Sequence, residues 1–334
     1  MVSAELRSVA DPLAGFPDGS LDGSLAGPLD APVAAIAPHP APRHTEIELR
    51  DVSVSYSAGK EVSKTVLSKL NMMVTAGEFV VILGETGCGK STLLRLILGQ
   101  EFPTEGAIEV DGKPVTSIDA RCGYVPQKYS LFPDRTVLGN VMYGPENAES
   151  RFLARFRPSF FAYRRKLRAD AQAYLVRMGL RPQDMNKYPH QLSGGMQQRV
   201  AIAQALLMHP PVLLLDEAFS ALDPSTRASL QEQLRDVWLE SKPTVVFVTH
   251  NTSEALLLGT RLILLRRHRE DHSGESNLVL DMNIPSSQLP LSMRIKDLEF
   301  QEMLEHVKQL AYKSSSLHTE DAVADRIVEE GNLA

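Results

Sequence analysis

The chain has 334 residues, 43% hydrophobic and 23% charged with a formal net charge of -6, the profile of a soluble globular protein long enough for a sizeable core. The acid excess argues against general nucleic-acid binding, and two cysteines, Cys88 and Cys122, exclude a disulfide framework and imply reduced thiols. The best apolar runs, VVILG and LILL, are strand-sized, so no segment is expected to cross a bilayer, and the start MVSAELRSVADP lacks the basic and then apolar regions of an export signal.

Residues 1–44 are rich in Pro, Gly, Ala and Asp without a lysine and read as a disordered tail. Order is expected to begin at TEIELRDVSVSY, where Ile47, Leu49, Val52 and Val54 form a broken period-2 pattern typical of a half-buried strand. From there to about residue 270, short apolar runs alternate with helical stretches. FVVILG, GYVPQ, VLLLDE, TVVFVTH and RLILLR are the strand candidates, and intervening helices imply a largely parallel, covered sheet. A stretch poor in β-branched residues, about 135–200, reads as a helical subdomain. Residues 271–334 read as an extension, polar and loop-like at first apart from NLVLDMNIP. In RIKDLEFQEMLEHVKQLAY, Ile295, Leu298, Met303, Leu304, Val307 and Leu310 predict one amphipathic helix docked on the body, followed by an acidic, frayed end.

The strongest local signal is GETGCGKS, directly after FVVIL and directly before the helix-prone STLLRLILG. It matches the nucleotide phosphate loop G-x-x-x-x-G-K-[ST] in its strand-loop-helix context. Gly84, Glu85, Thr86, Gly87, Cys88 and Gly89 supply backbone N–H groups that turn around phosphates, and the helix beginning near Thr92 adds its N-terminal dipole. Lys90 is expected to reach the β and γ phosphates of ATP and Ser91 to bind Mg2+. The second anchor, PPVLLLDEAFSALD, is a buried-type strand ending in two acids. Asp216 is placed to hold the metal, and Glu217 is the candidate general base for the attacking water. Cys88 reads as a small packing residue within the loop.

LSGGMQQR at 192–199 completes the set, and here the sequence resembles the ATP-binding subunits of ABC transporters, whose signature motif is LSGGQ-like. The resemblance covers about residues 45–270. It implies an α/β phosphate-loop ATPase core with a mainly parallel sheet, an antiparallel β subdomain and an inserted helical subdomain. It also implies a head-to-tail homodimer in which Ser193, Gly194 and Gly195 close over ATP bound by the partner's phosphate loop. Carried over residue by residue, Tyr56 is expected to stack on adenine. Gln127 would contact Mg2+ or water and couple the site to membrane subunits, Asp223 would speak across the dimer, and His250 would hold the γ phosphate. Asn251 stands where Asp is common, Pro126 where Phe is common, and Glu85 adds a charge; none removes a catalytic group.

The run YPHQLSGGMQQRVAIAQALLMHPPVLLLDEAFSALDPSTR resembles bacterial importer subunits, and the C-terminal helix resembles the nitrate/sulfonate/taurine branch. What that implies is an ATPase peripheral to the cytoplasmic face of the inner membrane, with permease subunits and a periplasmic solute-binding protein as partners and no nucleic acid. The alternatives are an exporter ATPase and a soluble, non-transport ABC ATPase. A GTPase is excluded, since NKYP lacks the guanine-reading acid. ESRFLARFRPSFFAYRRKLR at 149–168 carries seven Lys or Arg and looks like an insertion. It reads either as a contact for anionic lipid or an acidic permease surface, or as an exposed charged helix.

Overall fold

The computed structural model describes residues 45–56, 64–118, 121–128, 131–149, 158–268, 275–285 and 290–311. The expectations for the tail at 1–44 and for the acidic end fall outside the described residues. Two sheets organise the rest. In the first, β1 (Thr45–Tyr56) pairs antiparallel with β2 (Lys64–Thr75) and β4 (Glu105–Val110), and β5 (Lys113–Pro114) completes the order β2-β1-β4-β5. Ile47, Leu49, Val52 and Val54 are all buried, as expected. Their period breaks because Asp51 takes a positive φ of 47° and the register with β2 shifts between Leu49 and Val52.

The second sheet contains β3 (Phe79–Gly84), β6 (Cys122–Val125), β7 (Val212–Asp216), β8 (Thr244–Thr249), β9 (Arg261–Leu265) and β10 (Leu278–Asn283), in the order β10-β9-β3-β8-β7-β6. All neighbours are parallel except β10 with β9. Every residue of β3, β7 and β8 is buried, which is why these strands read as unbroken apolar runs rather than alternating ones. Successive side chains enter opposite cores. Val80, Ile82, Leu214 and Val246 join the core shared with the first sheet and α1 (Lys90–Leu98). Phe79, Val81, Leu215 and Phe247 join the larger core under the other helices. Burying each such side chain fully is worth about 1.5–3 kcal/mol.

Those other helices are α2 (Val137–Glu149), α3 (Pro158–Arg177), α4 (Gly194–Leu207), α5 (Pro224–Ser241), α6 (Thr252–Leu258), α7 (Leu291–Arg294) and α8 (298–311). α2, α3 and α4 pack on one another as the helical region expected between the second and third strand motifs. Beyond residue 270 the apolar exception NLVLDMNIP forms a strand. β10 adds the sixth strand, tied by the Arg261 guanidinium, which donates twice to the Asp281 carboxylate at 2.7 Å. Buried Asn277 accepts from the Ser68 N–H at 2.6 Å and donates to the Val66 and Arg266 carbonyls at 3.0 Å, stitching the two sheets together.

The C-terminal helix docks as expected, with Met303 and Leu310 also packed against the larger core, and only the first two expected positions stay outside. Phe300, Leu304 and Val307 are buried, while Ile295 and Leu298 are exposed. A turn at 295–297 separates α7 from α8 and takes Ile295 out of the stripe, while Leu298, the first residue of α8, lies off the buried face.

Candidate functional site

The parallel strands β3, β6, β7 and β8 end on one edge of the sheet, and their last residues, Gly84, Val125, Asp216 and Thr249, deliver the loops carrying the expected chemistry. In open α/β sheets this crevice beyond the carboxyl ends is where ligands bind. The Gly84–Lys90 turn is fixed by sterics. A Cβ on Gly84 would lie 2.5 Å from the Leu265 carbonyl oxygen, and Gly89, the N-cap of α1, has φ 101° with its missing Cβ 2.6 Å from Leu67. Both positions therefore exclude a side chain. Cys88 is fully buried and burial pushes its thiol pKa up, so it packs rather than reacts.

Lys90 is buried, and its ammonium donates to the Gly84 and Glu85 carbonyls at 2.8 and 2.7 Å, folding the cation over the mouth of the loop. Ser91, in the first turn of α1, donates its hydroxyl to Asp216 Oδ1 at 3.1 Å across 125 residues of sequence. Burial pushes the Asp216 carboxyl up from the ordinary carboxylate range, with the Ser91 bond opposing the shift. Tyr124, a residue the sequence reading passed over inside GYVPQ, places its hydroxyl 3.4 Å from Asp216 Oδ2. Its pKa is pushed up to about 12, by burial first and then by Asp216, so it stays a donor. A hydroxyl and a carboxylate converging at a phosphate loop suit a hard divalent cation that keeps most of its water shell.

Glu217 has a positive φ of 45°, a conformation that costs on the order of 1–3 kcal/mol in a non-glycine residue and recurs at functional sites. The backbone is pinned there by the Glu217 N–H donating to the Val248 carbonyl at 2.9 Å and by the Ser220 N–H and hydroxyl donating to the Glu217 carbonyl at 3.1 and 2.9 Å. Its carboxylate accepts the Gln127 amide N–H at 3.0 Å and faces His250 Nδ1 at 3.3 Å. More than half of the His250 side chain is exposed, leaving it open to a ligand. Asn251, the departure noted after the histidine, is the N-cap of α6 and accepts the Ser253 and Glu254 N–H groups at 2.9 and 3.2 Å. Tyr56, at the end of β1, is 43% exposed and donates its hydroxyl to Glu101, which Arg95 of α1 also pairs at 2.9 Å. Burial, then Glu101, raises the Tyr56 pKa.

Two sets of expected residues therefore separate. The phosphate loop, Asp216, Glu217, Gln127 and His250 share the strand ends, with Tyr56 beside α1. Ser193, Gly194, Gly195 and Asp223 gather elsewhere: Ser193 caps α4 by accepting the Met196 N–H, Gly195 lies against Thr226 with no room for a Cβ, and Asp223 caps α5 by accepting the Thr226 N–H at 3.0 Å. Among the described residues no hydrogen bond links this second set to the phosphate loop. Residues 150–157 of the basic segment lie outside the described residues, and its described part belongs to neither set. Arg165, Lys166 and Arg168 of α3 face solvent, Arg164 pairs Glu146 at 2.7 Å, and Tyr163 donates its hydroxyl to the Pro145 carbonyl.

A glycine cradle, a cation over its mouth, a metal-competent hydroxyl–carboxylate pair and a carboxylate held by an amide and an imidazole define a phosphate-loop nucleoside triphosphatase. Comparison with known proteins narrows the class. The ABC transporter family model matches residues 67–220. An uncharacterised ABC transporter ATP-binding protein of Methanocaldococcus jannaschii is 42% identical over 205 residues, 60% of this chain and 70% of that protein. The nitrate import ATP-binding protein of Synechocystis is 39% identical over 242 residues, 72% of this chain and 84% of that one. The aliphatic sulfonates import ATP-binding protein of Bacillus subtilis is 39% identical over 202 residues, 60% of this chain and 73% of the relative. A dimeric ATP-binding cassette solved in a post-hydrolysis state with ADP and Pi superposes with a TM-score of 0.59 at 32% identity, covering 72% of this chain and all of that one. The chain belongs to the ABC transporter family of ATP-binding proteins, and its activity is that of an ATPase.

Proposed function

We infer that the chain is the ATP-hydrolysing subunit of an importer and works as a head-to-tail homodimer on membrane-spanning permease subunits. One observation carries the catalytic part: Glu217 accepts from Gln127 at 3.0 Å and faces His250 at 3.3 Å beside the Ser91–Asp216 pair. In this reading the phosphates of ATP lie in the cradle of residues 84–91, including Thr86, Gly87 and Cys88, with Thr92 just behind. Lys90 moves from its two carbonyl partners to the β and γ phosphates, and adenine stacks on Tyr56. Ser91, Asp216 and Gln127 would hold Mg2+, which when bound offsets phosphate charge. Glu217 takes the proton of the attacking water, with Gln127 and His250 fixing its carboxylate. The second set, Ser193, Gly194, Gly195 and Asp223, would complete the partner's site, the open N-terminus of α4 being suited to the γ phosphate there.

The importer assignment draws on the relatives named for nitrate and sulfonate uptake, and small solutes of that kind, delivered by a periplasmic binding protein, are the expected cargo. None of the described helices is long and apolar enough to cross a membrane. As the ATPase partner of permease subunits, the chain would act peripherally at the cytoplasmic face of the inner membrane. A cleft of about 400 Å3 between β6, α2 and α4, bordered by Tyr124, Pro126, Gly144 and Gln204, is the expected permease seat, one residue from Gln127. Residues 45–270 would form the ATP-binding domain with its helical subdomain at about 135–200, and residues 271–334 an extension of it.

Two measurements test this. Steady-state hydrolysis by Glu217→Gln should fall by about 10^2–10^4 while Mg-ATP binding persists; parental turnover would remove Glu217 as the base. The same variant, used with ATP as bait in detergent-solubilised membranes, should recover a multi-span permease. Recovery of ribosomes or DNA alone would overturn the transport reading.

A further inference from the structure

Behind His250 lies a carboxylate that the scheme above does not use. Glu254, in the first turn of α6, is only 5% exposed, yet each of its oxygens has a partner. Oε2 accepts the Thr249 hydroxyl at 2.7 Å, and Oε1 accepts the Gln231 amide N–H at 3.2 Å with Arg227 Nε at 3.6 Å. Thr249 Oγ1 in turn accepts the Asn251 N–H at 3.0 Å, so the hydroxyl clamps the turn whose middle residue is His250. At the other end, Arg227 Nη2 donates to the Leu222 carbonyl at 2.9 Å, one residue before Asp223.

This gives one continuous polar chain running Leu222–Arg227–Glu254–Thr249–Asn251. It joins the Asp223 loop at the start of α5 to the turn that presents His250. Burial pushes the Glu254 carboxyl up, while the Thr249 bond, Arg227 and His250 act in the opposite direction and Glu217 adds to the rise. A carboxylate so placed persists only because its partners satisfy it, and the removal of one leaves a buried group unpaired. The same partners leave little freedom to the turn they meet. An apolar residue at this position would fill the space and hold neither loop.

We propose that Glu254 is a positioning residue, holding His250 toward Glu217 and locking that turn to the Asp223 loop so that the two move as one body. The inference rests on the reading above in that His250 and Glu217 act on ATP. It adds a route by which engagement of a partner chain at Asp223 reaches the hydrolytic carboxylate within the same subunit.

The test is ATP hydrolysis by the full chain in parent, Glu254→Ala, Thr249→Val and Glu254→Gln forms. Glu254→Ala and Thr249→Val should each lose about tenfold to a hundredfold in kcat, the scale of a misplaced catalytic group, with KM for ATP within about twofold. Glu254→Gln keeps the shape and an acceptor oxygen for Thr249 but turns an NH2 toward Gln231 and Arg227, so it should recover part of the kcat lost in Glu254→Ala, the part owed to the His250 turn. Parental kcat in both damaging variants overturns the proposal. So does a rise in KM in step with the loss of kcat and no recovery in Glu254→Gln, which would mark a merely structural carboxylate. A parent chain that hydrolyses no ATP is a separate outcome: it overturns the functional reading itself and this proposal with it.

Discussion

The Asp223 carboxylate accepts the Thr226 N–H at 3.0 Å and the Ser225 hydroxyl at 2.7 Å, which satisfies the open start of α5 and holds its own pKa well below the usual carboxylate range. A depressed pKa contributes stability that is fully present above the unfolded value, near 4, and is lost as pH falls through the folded one. Thermal melts of Asp223→Ala should therefore lie below the parent between about pH 5 and 7, with the gap beginning to narrow below about pH 4 and closing as pH falls through the depressed folded value; a gap independent of pH would mean that the charge is not what caps the helix. The positions of Lys90, Ser91, Asp216 and Glu217 at the strand ends were legible from the sequence because short motifs fix their local backbone, whereas the cap made by Asp223 was not read from it. Tyr124 and Glu254 were not legible either. Tyr124 gains its role from Asp216, 92 residues away, and Glu254 from Gln231 and Thr249 on two other elements, which no local pattern reports.

At the scale of elements, β3, β7 and β8 were legible because strands buried on both faces must be continuous apolar runs, whereas β6 is mostly half-buried and short. The antiparallel β10 was harder: its residues alternate between half-buried and exposed as the sheet's edge, and its place there comes from a backbone ladder with β9 that no local pattern reports. The helix α8 was legible as a helix and in most of its packed face, but not in its start, since the interruption at 295–297 carries no Gly or Pro to announce it. For α3 the structure divides the segment cleanly. Leu167, Ala171, Tyr174 and Leu175 enter the larger core, while Arg165, Lys166 and Arg168 lie in water. Leu167→Ala should thus cost about 2–5 kcal/mol in denaturant titration. Neutralising Arg165, Lys166 and Arg168 to Gln should leave stability within about 0.5 kcal/mol per substitution. A large loss in the triple variant would mean that these cations hold the helix in place.

For the whole molecule, the separation of the two functional sets is the consequential fact. One strand edge carries the phosphate loop with Asp216, Glu217, Gln127 and His250, and the paired starts of α4 and α5 carry Ser193, Gly195 and Asp223. Joined head to tail, two copies would make two composite sites, each taking its phosphate loop from one chain and its signature from the other. Complementation tests this without a structure of the dimer. Lys90→Ala should silence hydrolysis by removing the phosphate cation, and Ser193→Arg by filling the start of α4, so each variant alone is expected to be inactive. Mixed in equal amounts and allowed to exchange, half of the dimers would contain one chain of each kind. In each such dimer the intact phosphate loop of the Ser193→Arg chain would meet the intact signature of the Lys90→Ala chain. One site in two would then work in half of the dimers, and hydrolysis should return to about a quarter of the parental rate if the sites act independently. If each signature served the phosphate loop of its own chain, every site in the mixture would carry a defect and no activity would return.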